Sequence, residues 1–317
     1  MPMPNFDIDR ATFDKHRKRT LSQLWEFGEL MKVWMGGEPI RFAIKTAKGE
    51  LAIQARQEMF GPIPAIYVGI GHELELSEEE VRGAMDALLT KTGAVPTIMQ
   101  FELKNSIKSR GFHNQDVPQM IIDLQKELKP NKKRRQNIRK AIAAGVKFDV
   151  CREDDLVACH ALSLSFGAKH KIRVMGKEFL RYIFDSKIVK IFTVKIDGKL
   201  VGFEAILLDK ELAKTYSWLA SWDERGLEAN APSLLTWEII QWSKAQGFDQ
   251  FDFGGIGFET EKKRSIAFFK ESFGGELVHD STIRTAGILG MRSDHIYKLI
   301  DHAYKNIYMR MHDDIYR

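Results

Sequence analysis

The stretch FDFGGIGFETEKKRSIAFFKESFGG, Phe251 to Gly275, concentrates residue types that do chemistry. Lys270 follows Phe268 and Phe269 at the end of a short amphipathic segment and precedes Phe-Gly-Gly. A lysine beside apolar surface can place a cation on a developing oxyanion, a phosphate or a carboxylate. In a half-dry cleft such a charge is worth far more than in water. The same lysine can equally run its stem past Phe269 and end in solvent. Asp252 sits between two phenylalanines on a strand-like run, so its side chain points away from theirs. It is a candidate orienting carboxylate or one half of a structural pair. Phe268 and Phe269 are candidates to stack on the bases of a single strand, and residues at this spacing also serve as core. Lys262, Lys263 and Arg264 read as peripheral contacts or solvated charge. The glycines have neither dinucleotide-fingerprint spacing nor a Walker Lys-Ser pair. They suit a strand end that turns close to a neighbour or ligand.

The flanking segments supply the positioning elements. APSLLTWEIIQWSKAQG reads as a helix with Pro232 in its first turn and Gly247 at its stop. FDQFDFGG returns to strand, and ELVHDSTIRTA is the strand that follows the lysine segment. Upstream, residues 153–165 and 176–186 read as helices. IVKIFTVKIDGKLVGFEAILLD reads as two strands joined at Asp197-Gly198, and AKTYSWLASW as a further strand. The first half has a looser version of the same grammar. LSQLWEFGELMKVWM carries an apolar stripe of Leu24, Phe27, Met31 and Trp34, and two strands flank Lys48-Gly49. AIYVGIG is another strand, Ser77 to Glu80 opens a helix with a capping box, and strands near 97–103 and 119–124 follow. The expected fold class is α/β (α+β), with two tandem domains and mixed sheets. The expected boundaries are 1–146, completed by a C-terminal helix over 294–317, and 147–293.

Between the halves lies a basic bridge. Lys129 to Lys140 holds seven Lys or Arg residues and no acid. Asn131 suggests a helix start and Gly145 its stop, while Ile138 and Ile142 can face a core. Arg135 and Arg139 are candidates to meet an anionic polymer or phosphates; a solvated basic helix is the plainer reading.

Composition narrows the class. The chain has 317 residues, 44% of them hydrophobic and 29% charged, with a net charge of +5, which is ordinary for a folded globular protein. Its two cysteines, Cys151 and Cys159, exclude a disulfide-dense scaffold and form no zinc-ligand pattern with His160. They read as buried thiols in a reducing cytoplasm. No metal or bound cofactor is expected. No secretory leader or membrane span is evident, while peripheral membrane contact stays open. A monomer suffices for tandem domains.

Four segments in order carry a family likeness: QLWEFGELM (Gln23–Met31); IIDL (Ile121–Leu124) with KKRRQNIRKAIAAGVKF (Lys132–Phe148); APSLLTWEIIQWSKAQGFDQFDFGG (Ala231–Gly255); and IAFFKESFGG (Ile266–Gly275). Through them the chain resembles the Fem family of peptidoglycan-bridge aminoacyltransferases, built from two GCN5-related N-acetyltransferase (GNAT)-like domains. The resemblance implies transfer of an aminoacyl group from aminoacyl-tRNA onto an amine, typically of a peptidoglycan precursor. It implies that Lys270 steadies the tRNA terminus or the tetrahedral intermediate, and that basic residues hold precursor phosphates. Lys32 and Arg173 are positional candidates for the latter. The long helical arm of some members is missing. Coenzyme A-binding relatives carry Gln/Arg-x-x-Gly-x-Gly/Ala after their fourth strand. Here SWDERGLEANAPSLLTW keeps only Arg225-Gly226 of that pattern. An acyl-CoA-dependent N-acyltransferase acting on a small amine or amino sugar is the alternative, and an RNA-binding module without activity is a third reading.

Overall fold

The computed structural model of the protein describes residues 4–6, 8–60, 63–69, 74–92, 98–107, 113–170, 174–258 and 260–286. The elements in chain order begin with helices α1 (Arg10–His16) and α2 (Trp25–Met35), then strands β1 (Ile40–Thr46), β2 (Gly49–Phe60) and β3 (Ile63–Val68). Helix α3 (Glu78–Thr92) precedes β4 (Ile98–Leu103) and β5 (His113–Asp123). Next come α4 (Lys132–Ala143), β6 (Lys147–Val150), α5 (Leu156–His170), α6 (Lys177–Asp185), β7 (Val189–Ile196), β8 (Lys199–Asp209) and β9 (Lys214–Trp222). Helices α7 (Glu224–Glu228) and α8 (Ala231–Ala245), β10 (Gln250–Gly255), α9 (Glu261–Glu271) and β11 (Glu276–Ala286) complete the described chain.

These elements form two compact units, one ending at Val117 and taking in the described residues from His279, the other running from Pro118 to Val278. The boundary expected at 146/147 therefore lies earlier, at 117/118. The reason is packing: Ile138 and Ala141 of the basic helix α4 share one apolar cluster with Leu234, Leu235 and Ile239 of α8, which ties α4 to the second unit. The helix expected over 294–317 lies outside the described residues.

The units repeat one strand order. In unit 1, β1–β2 and β2–β3 are antiparallel, β3–β4 is parallel, and β11 closes on β4 antiparallel. In unit 2, β7–β8 and β8–β9 are antiparallel, β9–β10 is parallel, and β5 closes on β10 antiparallel, with β6 added beside β7. Mixed sheets of this kind need helical crossovers for their parallel pairs. Helix α3 serves β3–β4, and α7 with α8 serve β9–β10.

Local chemistry explains most element ends. Asp197 and Gly198 both adopt positive φ, 50° and 75°, as a two-residue hairpin turn requires. Ser77 and Glu80 make the reciprocal capping box that opens α3. The Asn131 side chain accepts the Arg134 amide at the start of α4. Thr260 caps α9 by accepting from Lys263, so the basic run Lys262–Arg264 lies in the first turn of this helix. On α4 the buried stripe is Arg134, Ile138 and Ala141, spaced four and three apart. Ile142, expected to join it, falls off its edge and is 58% exposed.

In unit 2, α4 and α8 cover one face of the sheet, packing on Phe192, Ile206 and Phe251. Helices α5 and α6 pack on the same strands, where Phe179 of α6 meets Trp218 of β9 edge-on at 5.9 Å. Both cysteines are buried free thiols. Among the described residues no helix is long and apolar enough to cross a membrane, and no cluster of His, Cys, Asp or Glu can hold a metal ion.

Candidate active site

The feature that organises the site is where two parallel strands part. β10 pairs with β9 only from Gln250–Lys214 to Asp252–Tyr216, yet β9 runs on to Trp222 and β10 to Gly255. On its other side β10 changes register against β5 between Asp252 and Gly255. Carbonyls beyond that point need other donors. Lys270 supplies them: its Nζ donates to the Phe253 carbonyl at 2.7 Å and to the Gly255 carbonyl at 2.8 Å. An ammonium has three donors, so one remains for a further acceptor. Burial lowers the Lys270 pKa to about 8, with Asp252 and Glu204 opposing the shift. The group is still largely cationic at pH 7.

Glu204 of β8 is the residue that sequence reasoning missed. It is 3% exposed. The Ser217 hydroxyl of β9 donates to its Oε1 at 2.5 Å, and Thr236 of α8 also hydrogen-bonds to it. Burial raises this carboxyl to about 7, against the pull of Ser217, Lys270 and Thr236. A signal was present in VGFEAILLD: a glutamate inside a run that is otherwise apolar, on a central strand. Buried carboxylates cost too much to be incidental.

Asp252 has a different setting. It is 0% exposed, its Oδ2 lies 2.8 Å from Lys214 Nζ, and its Oδ1 accepts the Gly254 amide at 2.6 Å. Oδ2 is held by the charge of Lys214 without a well-directed hydrogen bond, and the side chain lies on the sheet face opposite Phe251 and Phe253. Of the two readings of Asp252, orienting carboxylate or half of a structural pair, the ion pair with Lys214 fits the second. That pair still bears on Lys270 through its charge.

The remaining candidates scatter. Phe268 is 54% exposed. Phe269 is half-buried against the core, beneath the Arg134 guanidinium at 4.1 Å, and so is not open to a base on that face. Arg134, from the basic helix, is 6% exposed and donates to Ser272 and Ser233. Burial lowers its pKa to about 10. It stacks on Phe269 and Phe273 and lies at the C-terminal end of α9, where the helix dipole favours a cation. Arg135 and Arg139 are exposed, Arg135 donating to the Pro130 carbonyl. Lys32, in unit 1, pairs with Glu38 at 2.7 Å. Arg173 lies outside the described residues.

The segment after β9 is held by its own local contacts. Asp223 caps the five-residue α7 by accepting the Gly226 amide at 2.6 Å. Arg225 is tied to Asp197. A Cβ on Gly226 would stand 2.6 Å from the Val201 carbonyl, so this glycine serves close packing on β8.

Comparison with known proteins agrees with the fold. Residues 131–263 match the family model described as an acetyltransferase (GNAT) domain. A comparison with curated proteins finds no match. Among solved structures, the chain is similar to FemX, with a TM-score of 0.69 at 13% identity over 92% of this chain and 98% of that one. It is similar to the C-terminal domain of a putative lysylphosphatidylglycerol synthetase from Agrobacterium fabrum, with a TM-score of 0.59 at 16% identity over 83% and 88% of the two chains. The L-PGS structure from Bacillus licheniformis gives 0.56 at 15% identity over 88% and 96%. The architecture is a mixed α/β fold of tandem GNAT-like domains, similar in fold to these proteins.

Proposed function

We propose that this protein is an N-acyltransferase, moving an acyl group from an activated ester or thioester onto an amine to form an amide. One observation carries the reading: Lys270 Nζ is fixed by two β10 carbonyls where β9 and β10 separate, with a donor to spare. A pre-positioned cation in a half-dry opening is what a developing oxyanion needs. Holding an acyl carbon and an amine nitrogen side by side at such a point supplies much of the rate of an acyl transfer.

Two donors are supported by different observations. The match of residues 131–263 to an acetyltransferase domain favours acyl-CoA, with a small amine or amino sugar as acceptor. The occupied segment after β9 favours a donor without the pyrophosphate of coenzyme A, namely aminoacyl-tRNA, with the amine of a peptidoglycan precursor as acceptor. Exposed Lys132, Lys133, Arg139 and Lys140 of α4 carry no ion pair among the described residues and suit a polyanion.

The test presents purified protein with total tRNA charged with labelled amino acids, with a panel of acyl-CoA thioesters, and with amine-containing cell fractions. Amide formation that Lys270→Ala reduces by about 10²–10³-fold is the expected result. Ribonuclease abolishes it if tRNA is the donor and leaves it unchanged if coenzyme A is. Consumption of neither donor overturns the reading.

A further inference from the structure

Glu204 stands in the strand row that also carries Ile206 and Leu208, both core residues beneath α4 and α8. A carboxylate in such a layer is expensive to keep charged. Its hydrogen-bond partners are two hydroxyls, Ser217 of β9 and Thr236 of α8. The charge that bears on it is Lys270 of α9, while Lys214 and Asp252 occupy the alternate rows of β9 and β10. Ser217 is placed differently. It is half-buried, and it directly follows Tyr216, the last residue of β9 to pair with β10. The Ser217 hydroxyl, beside the point where the strands part, is thus joined to the buried carboxyl by a hydrogen bond of 2.5 Å.

We propose that Ser217 and Glu204 form a proton relay serving the acceptor amine, with Ser217 touching the substrate and Glu204 acting through it. The proposal rests on the acyl-transfer reading. As the amine nitrogen bonds to the acyl carbon, it gives a proton to Ser217 Oγ. The hydroxyl proton of Ser217 passes to Glu204, which becomes a carboxylic acid. The bond from acyl carbon to the leaving sulfur or oxygen then breaks, and its electron pair stays with the leaving atom. The proton held by Glu204 returns through Ser217 to that atom, releasing thiol or alcohol and restoring the carboxylate. Lys270 remains protonated throughout. Glu204, at about 7, and Lys270, at about 8, leave a pH window in which the carboxylate and the ammonium coexist.

The decisive experiment compares the pH dependence of kcat/KM for the wild type, Glu204→Gln, Ser217→Ala and Ser217→Thr, with the donor that the wild type consumes. The wild type gives a bell, rising near pH 7 and falling near pH 8. Glu204→Gln and Ser217→Ala lose about 10²–10⁴-fold at the optimum and lose the acidic limb, whereas Ser217→Thr keeps both limbs. An acidic limb that persists in Glu204→Gln overturns the relay and leaves acyl transfer standing. Infrared difference spectra supply a readout independent of turnover. A protonated-carboxyl band titrating near pH 7 is expected in the wild type and missing from Glu204→Gln; no such band overturns the relay. A wild type that acylates no amine overturns the acyl-transfer reading instead, and the relay with it.

Discussion

The parallel strand pair of unit 1 is closed, and its counterpart in unit 2 is open. In unit 1 the pairing of β3 with β4 runs from Ala65–Ile98 to Val68–Phe101, the last residue of β3. Gly69 then follows at φ +91°, with the position of a Cβ only 2.6 Å from the Glu102 carbonyl. In unit 2, β9 leaves its partner after Tyr216 and continues from Ser217 to Trp222. Gly254, at φ +72°, has no atom within 4 Å of its Cβ position. The strand order is the same, so topology alone does not make the site. What differs is local pairing: beside the point where β9 and β10 part, Lys270 donates to two β10 carbonyls and Ser217 donates to buried Glu204.

The contrast can be broken at several points. Asp252→Asn has the largest expected effect. It removes the counter-charge 2.8 Å from buried Lys214 and costs about 3–5 kcal/mol, read as a lower urea midpoint with unchanged slope. Glu204, another buried carboxyl of unit 2, behaves oppositely. Burial lifts Glu204 from 4.5 to about 7, so the folded chain holds a proton that the unfolded chain releases at lower pH. Stability from this group therefore falls as pH rises from about 4.5 through about 7. Glu204→Gln removes that loss and stabilises the protein above pH 7 by an amount on the order of 2–3 kcal/mol. Thermal melts at pH 5 and pH 8 check it, since the gain is confined to the higher pH.

Glycine substitutions sharpen the same comparison with smaller effects. Gly69→Ala is expected to cost about 2 kcal/mol or more, as strain at positive φ adds to the clash with Glu102. Gly254→Ala meets the φ penalty without a clash and is expected to cost about 1 kcal/mol. Equal losses from chemical denaturation of the two variants would remove the distinction between a closed and an open pair.

Much of this was legible in the residues. Helix caps, the Asp197-Gly198 turn and the strand runs of the second half depend on short-range chemistry, which sequence displays directly. Lys270 stood out because its aromatic and glycine neighbours do. Glu204 was passed over because its meaning depends on Ser217 and Thr236, which neighbour it only after β8, β9 and α8 have packed. Asp252 could be either an orienting carboxylate or half of a pair for the same reason: its partner Lys214 lies on a strand whose pairing the pattern does not reveal. The early boundary at 117/118 follows from α4 packing on α8, a long-range contact that a charge run conceals. Arg134 is the one arginine of that run turned inward, and its spacing from Ile138 and Ala141 was readable in principle.

The closing strand of unit 1 has a consequence for how the chain is made. β4 pairs through Leu103 with Ser281 of β11, and nearly the whole of unit 2 lies between them in sequence. During synthesis, the strands of unit 2 have all left the ribosome before β11 does, while β1 to β4 emerge first and wait for their fifth strand. The N-terminal half is therefore the later of the two to complete its sheet, reversing the usual order of vectorial folding. Until β11 arrives, the β4 edge lacks the antiparallel partner it has in the folded unit.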